Sequence, residues 1–153
     1  MTIDDFKTLM DEFDPASLLP ELDTLVGKIA LVARIAVLVG PLLLVVMGLL
    51  YLFAAPKEAN YHFGYRCYYG MGSVSAWRFT QRIAGLVFSA LGLILGIVML
   101  VVSGSFSRME TVDLLWRAIY CAAWEAGLVA IACIGINITA MMCFNGKGDR
   151  RKK

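Results

Sequence analysis

Apolar residues run without a charge from about Ile35 to Phe53 and again from about Ile83 to Val102. A third run covers about 116 to 140, broken only by Arg117 and Glu125. A helix needs about twenty apolar residues to cross a hydrocarbon layer of ~30 Å, so the pattern predicts three transmembrane helices. Leu25 to Arg34 continues the first helix outward, with Lys28 and Arg34 at headgroup level. Pro41 lies inside that span and should bend it, because its ring removes one backbone hydrogen bond. Tyr51 closes the run as an interface anchor.

The second span carries Gly85, Ser89, Gly92 and Gly96 at steps of four, three and four, one narrow stripe of minimal side chains that includes a G-x-x-x-G. Such a stripe permits close backbone approach, either to another helix of the chain or to a second copy in a homo-oligomer. In the third span Ala122, Ala126, Ala130, Cys133, Asn137 and Ala140 fall on one face, predicted to meet the other helices, with Glu125 on its edge. A carboxylate at that depth requires a partner, a proton or water. Arg34 is the expected partner; the alternatives are snorkelling of Glu125 to the outer interface and a protonated Glu125 facing a polar cavity. Arg34, Glu125 and Asn137 are thus the candidate intramembrane polar residues.

Before the first span, residues 1–27 hold seven acids against Lys7. Ile3, Phe6, Leu9, Met10 and Phe13 recur at helical steps, predicting a short amphipathic helix broken by Pro15 and Pro20. It reads as an interfacial helix or as a lid over the membrane bundle. It is no signal peptide, since its head is acidic and the apolar run begins late.

Composition agrees with the class. Of 153 residues, 59% are hydrophobic and 17% charged, with a mean hydropathy of +0.73, more apolar surface than a water-soluble domain of this size can bury. The predicted fold is an all-α integral membrane protein with three transmembrane helices and an N-terminal amphipathic helix. It divides into an acidic segment (1–27), a membrane domain (28–144) and a basic tail (145–153). Lys57, Arg66, Arg78 and Arg82 outweigh Glu58 in the first connection, and Lys147, Arg150, Arg151, Lys152 and Lys153 follow the last helix. Three crossings place those two basic regions on one side, so the positive-inside rule predicts a cytoplasmic C-terminus and an outside N-terminus.

Catalytic and cofactor signatures are absent. Cys67, Cys121, Cys133 and Cys143 form no C-x-x-C pair, and His62 is the single histidine. Free packing thiols are expected rather than a metal site. No Walker loop, dinucleotide fingerprint or nucleophile and base pair occurs, so neither cofactor nor enzymatic activity is expected. The basic tail after a membrane helix indicates topology and lipid contact, not nucleic acid.

What remains is the first connection. Gly64, Tyr65 and Arg66 precede a passage of small residues, and Trp77, Arg78, Gln81 and Arg82 follow on the approach to the second helix. Gly64 allows a turn near the membrane, Arg66 offers a planar fork for a phosphate or carboxylate, and Trp77 anchors the helix start at headgroup depth. The loop is expected to fold back so that Arg66 reaches the vicinity of Trp77. The set reads either as a lipid anchor or as a recognition site.

Gly64-Tyr65-Arg66, then Met71, Trp77, Phe79, Gln81, Arg82 and Gly85, resembles the signature of the SdpI-type (SdpI/YfhL) family of small bacterial membrane proteins. The likeness covers about residues 60 to 100. Cys67 stands where that family usually has threonine, and Gly70 where it usually has serine. The resemblance implies a multi-pass protein of a bacterial plasma membrane. The family's namesake protects its producer from a membrane-active peptide toxin, while many members have no assigned role, so the resemblance does not by itself imply immunity; a binding or immunity-type protein, with lipids and a peptide toxin or membrane protein as partners, is the first reading. A transporter-like or accessory subunit, suggested by Pro41, Glu125 and Asn137 inside spans, is the other reading.

Overall fold

The computed structural model describes residues 15–59 and 62–151, without side-chain detail for 15–23 and 107. The expected amphipathic helix before Pro15 lies outside the described residues. Helix α1 covers Pro15–Leu49 and passes into a π-helical turn, Leu50–Ala54. Helix α2 covers Val74–Ser103, a short 3-10 turn covers Phe106–Arg108, and α3 covers Thr111–Cys143. Three stretches, Thr24–Ala54, Val74–Ser103 and Thr111–Cys143, are long and apolar enough to cross a membrane.

Each helix exceeds its predicted span. α2 begins nine residues before Ile83, because Ser73 caps it by accepting from the Ala76 amide at 3.1 Å. Polar residues from Ser75 to Arg82 are therefore helical, whereas hydropathy placed them in the loop. Pro20 sits within α1 and does not break it; the helix simply continues into the first span.

The helices alternate in direction. Opposite Gly92 lie the Pro41 carbonyl and Val45, each 2.8 Å from where a Cβ would stand, and opposite Gly85 lie Leu52 and the Gly48 carbonyl. The small-residue stripe of α2 thus lies along α1 of the same chain, with Gly48 answering Ser89. Gly96 is less confined, with Pro41 Cβ 3.8 Å away. At one end Ala30, Ala33 and Val37 pack on Phe106 and Leu114; at the other, Tyr51, Ala84, Phe88 and Ile136 form a second core.

The predicted face of α3 meets the other helices only in part: Ala140 is buried and Cys133 packs on the second core. Leu114, Glu125, Ile136 and Ala140 are its buried positions, while Ala122, Ala126, Ala130 and Asn137 are exposed. Lipid is as apolar as the core, so a stripe of alanines carries no preference between the two.

Candidate functional site

The connection between α1 and α2 is built around backbone groups held by α2 side chains. Ala55 is extended ahead of Pro56, as the residue before a proline prefers, and this exposes the Pro56 carbonyl. Trp77, completely buried, donates its indole N–H to that carbonyl at 2.8 Å. Arg78 Nε donates to the Lys57 carbonyl at 3.3 Å.

One turn further along α2, Gln81 holds both backbone polar groups of Tyr65. Its Oε1 accepts from the Tyr65 amide at 2.9 Å and its Nε2 donates to the Tyr65 carbonyl at 2.7 Å. A carboxamide does here what a neighbouring strand would do. Gly64 makes the approach possible: its φ is +120°, and a Cβ there would stand 2.6 Å from the Trp77 ring.

Tyr65 is thereby driven into the bundle, where its hydroxyl donates to the Cys133 carbonyl of α3 at 3.1 Å. Its ring meets Phe88 edge-on at 5.8 Å and Tyr51 at 6.4 Å between centroids. Burial pushes the Tyr65 phenol above its ordinary range, and neighbouring Cys133 acts in the same direction. The loop therefore ties all three helices together through one side chain.

Beyond Tyr65 the chain turns again. Gly70 and Met71 donate to the Cys67 carbonyl at 3.1 Å, and the Gly70 amide also meets Cys67 Sγ at 3.2 Å. The C-terminal segment joins this end. Phe144 packs on Phe79 at 5.4 Å, the chain reverses between Asn145 and Asp149, and Ser73 Oγ donates to the Gly148 carbonyl at 2.7 Å. The two basic regions predicted to share a side are in contact.

With the backbone groups engaged, the guanidinium groups turn outward. Arg66, Arg78 and Arg82 are exposed. Tyr51, Pro56, Lys57, Arg78, Gln81 and Arg82 line a groove of about 350 Å³ at the loop end of α1 and α2. Three cations above a partly apolar floor suit an anionic group attached to an apolar body.

Several predicted roles change. Trp77 is a core residue rather than an interface anchor, and Tyr51 is likewise buried, against Phe63 and Phe88. The loop brings Gly64 onto Trp77, while Arg66 is exposed. Gln81, expected as a recognition residue, is the structural hinge of the loop. Residues that sequence reasoning passed over include Pro56 and Lys57, whose carbonyls receive Trp77 and Arg78, and the Ser73–Gly148 contact. The Asn-Gly-Lys-Gly-Asp run at 145–149 was the available signal for that last turn.

The intramembrane residues do not meet. Arg34 Nη2 lies 3.5 Å from the Gly104 carbonyl, whereas Glu125 faces Gly40, with its Oε2 occupying the space that a Cβ on Gly40 would take. Gly40 is six residues from Arg34, about 9 Å along the axis. The predicted Arg34–Glu125 pair is thus absent, because the helix register sets Glu125 too deep. Asn137 is exposed on α3 and belongs to neither group.

A sequence profile of the SdpI/YfhL protein family matches residues 57–143, more than half of the chain, and takes in the loop, α2 and α3. No curated protein and no solved structure matches.

Proposed function

The chain belongs to the SdpI/YfhL protein family, and from that premise we propose that it is an immunity-type binding protein that recognises a membrane-active peptide or a membrane protein partner through the groove at the loop end. The observation that carries this reading is the groove itself, where Lys57, Arg78 and Arg82 surround an apolar floor. Its shape comes from Trp77 and Gln81, which fix Pro56 and Tyr65. A partner carrying a carboxylate near the membrane surface gains charge-assisted hydrogen bonds there without reorganising the loop.

A photoreactive residue at Ala55, which lines the groove, tests the reading in bacterial membranes. Peptide or protein adducts that disappear in Arg78→Gln/Arg82→Gln are expected. Lipid adducts alone, unchanged by those substitutions, would reduce the groove to a membrane anchor.

This reading includes an orientation with the basic end in the cytoplasm and the plasma membrane of a bacterium as the location. With the native thiols replaced, a cysteine at Val112 should react with an impermeant maleimide in intact cells and one at Tyr68 should not; both positions are exposed. The opposite labelling pattern would invert the orientation.

A further inference from the structure

A second groove runs between α1 and α3 on the side turned toward lipid, about 530 Å³ in volume, with Gly40, Leu43, Met47, Ala126, Val129 and Glu125 among its walls. This lies within the usual size range of small-molecule sites, about 300 to 1,000 Å³. Its lining is apolar except for one carboxylate. Glu125 is only 8% exposed, and its Oε1 is buried with no hydrogen-bond partner. A buried carboxyl group in hydrocarbon needs a partner or a proton, and an oxygen left unpartnered beside an open apolar groove offers a place where a ligand can supply that partner.

Among the described residues none is seen to supply a cation. Arg34 is held near Gly104. Arg117 lies eight residues before Glu125 on the same helix, about 12 Å along the axis. Of the nearer groups, Cys121 is one turn away and brings no positive charge. Glu125 itself is fourteen residues from the start of α3 at Thr111, about 21 Å into the helix, far from either connection.

Gly40 shows that room is kept for the carboxylate. A methyl group at that position would coincide with Glu125 Oε2. Across the groove Ala122, Ala126 and Ala130 are exposed on successive turns, so the walls on the α3 side are low and open toward the bilayer. An apolar molecule can enter from the lipid without crossing a polar barrier.

We infer that this groove is a binding site for a lipophilic amine, whose apolar body fills the space between α1 and α3 and whose ammonium group donates to Glu125. The ammonium satisfies the orphaned oxygen and neutralises its charge, while Leu43, Met47 and Val129 hold the hydrocarbon part. This site is separate from the cationic groove at the loop end, whose ligand carries the opposite charge. Either site can fail without the other.

The test uses the full chain in lipid nanodiscs and two probes of one shape, 1-aminoadamantane and the uncharged 1-adamantanol, measured by equilibrium dialysis against empty nanodiscs. The wild-type protein should bind the amine saturably and at least tenfold more tightly than the alcohol. Glu125→Gln should bind both cages within twofold of each other, and Gly40→Ala should weaken amine binding at least fivefold by crowding the carboxylate. Equal affinity for the two probes in the wild type, saturable binding of neither, or a preference for the amine that survives in Glu125→Gln would each overturn the inference. A measurement on the wild type alone covers the case in which the variants do not fold. Labelling of Glu125 by dicyclohexylcarbodiimide should slow at least tenfold with the amine and not with the alcohol, and an unchanged rate with the amine would count against the site.

Discussion

Replacing Gln81 by methionine keeps the length and volume of the side chain and removes both hydrogen bonds to Tyr65. Gln81 is 2% exposed, and its two bonds to the Tyr65 backbone measure 2.9 and 2.7 Å. Each buried backbone group left unpaired costs about 1–3 kcal/mol, and the more apolar side chain returns part of that, for a net loss of about 2–4 kcal/mol. At 1.4 kcal/mol per factor of ten, the loop should open roughly 30- to 700-fold more often. Amide exchange in detergent or nanodiscs reads this directly, because the Tyr65 amide exchanges only when its bond to Gln81 opens. Exchange should accelerate at Tyr65 and its neighbours while the middle of α2 stays protected. Arg78→Gln, which loses one exposed contact to Lys57, is the control and should leave Tyr65 nearly unchanged. Tyr65 exchange within threefold of wild type in Gln81→Met would refute the argument that the carboxamide holds the loop.

The α1–α2 contact predicts an asymmetry within the glycine stripe. Gly92→Ala should lower stability by about 1–3 kcal/mol through overpacking against Pro41 and Val45, whereas Gly96→Ala should change it by less than about 0.5 kcal/mol, as measured by denaturant titration of helicity. Tyr65 predicts a pH effect. Its folded phenol is raised by burial, so the stabilisation is intact below the unfolded value near 10 and is lost as pH rises above it. The alkaline decline in stability should flatten in Tyr65→Phe, and an identical slope in both proteins would exclude Tyr65 as its source.

The number of crossings was legible because hydropathy is summed over about twenty residues and tolerates local error. Where α2 begins was not, since Ser75, Arg78, Gln81 and Arg82 are polar for different reasons. Gln81 faces inward to backbone groups while Arg78 and Arg82 face out, and a hydropathy sum treats them alike. Gly85, Ser89 and Gly92 announced a close contact because small residues on one helix face let a second backbone approach. Of the α3 alanines, Ala140 is buried while Ala122, Ala126 and Ala130 are exposed, since alanine packs equally well on helix or lipid. The pairing of Arg34 with Glu125 failed on register: depth counted from the ends of hydrophobic runs ignores the amount by which α1 and α3 extend past them. Gly40, whose missing side chain makes space for Glu125, gave no signal in a run already rich in small and apolar residues.

Cys67 and Gly70 are the two positions where the signature that the chain resembles would have threonine and serine, and in the structure they lie against each other. The Gly70 amide meets Cys67 Sγ at 3.2 Å, and a Cβ on residue 70 would stand 2.8 Å from that sulfur and 2.6 Å from Thr80 Oγ1. Serine at 70 therefore collides with a thiol at 67. Threonine at 67 puts a smaller oxygen in place of the sulfur, with its added methyl group turned away from residue 70, and Thr80 Oγ1, buried without a partner, is a hydrogen-bonding group for a serine at 70. Gly70→Ser alone should destabilise by about 1–3 kcal/mol through overpacking. In a Cys67→Thr background the same change should cost less, with a coupling of about 1 kcal/mol in a double-mutant cycle. Denaturant titration of the four proteins supplies the cycle. Additive losses within about 0.3 kcal/mol would mean that the two positions do not sense each other.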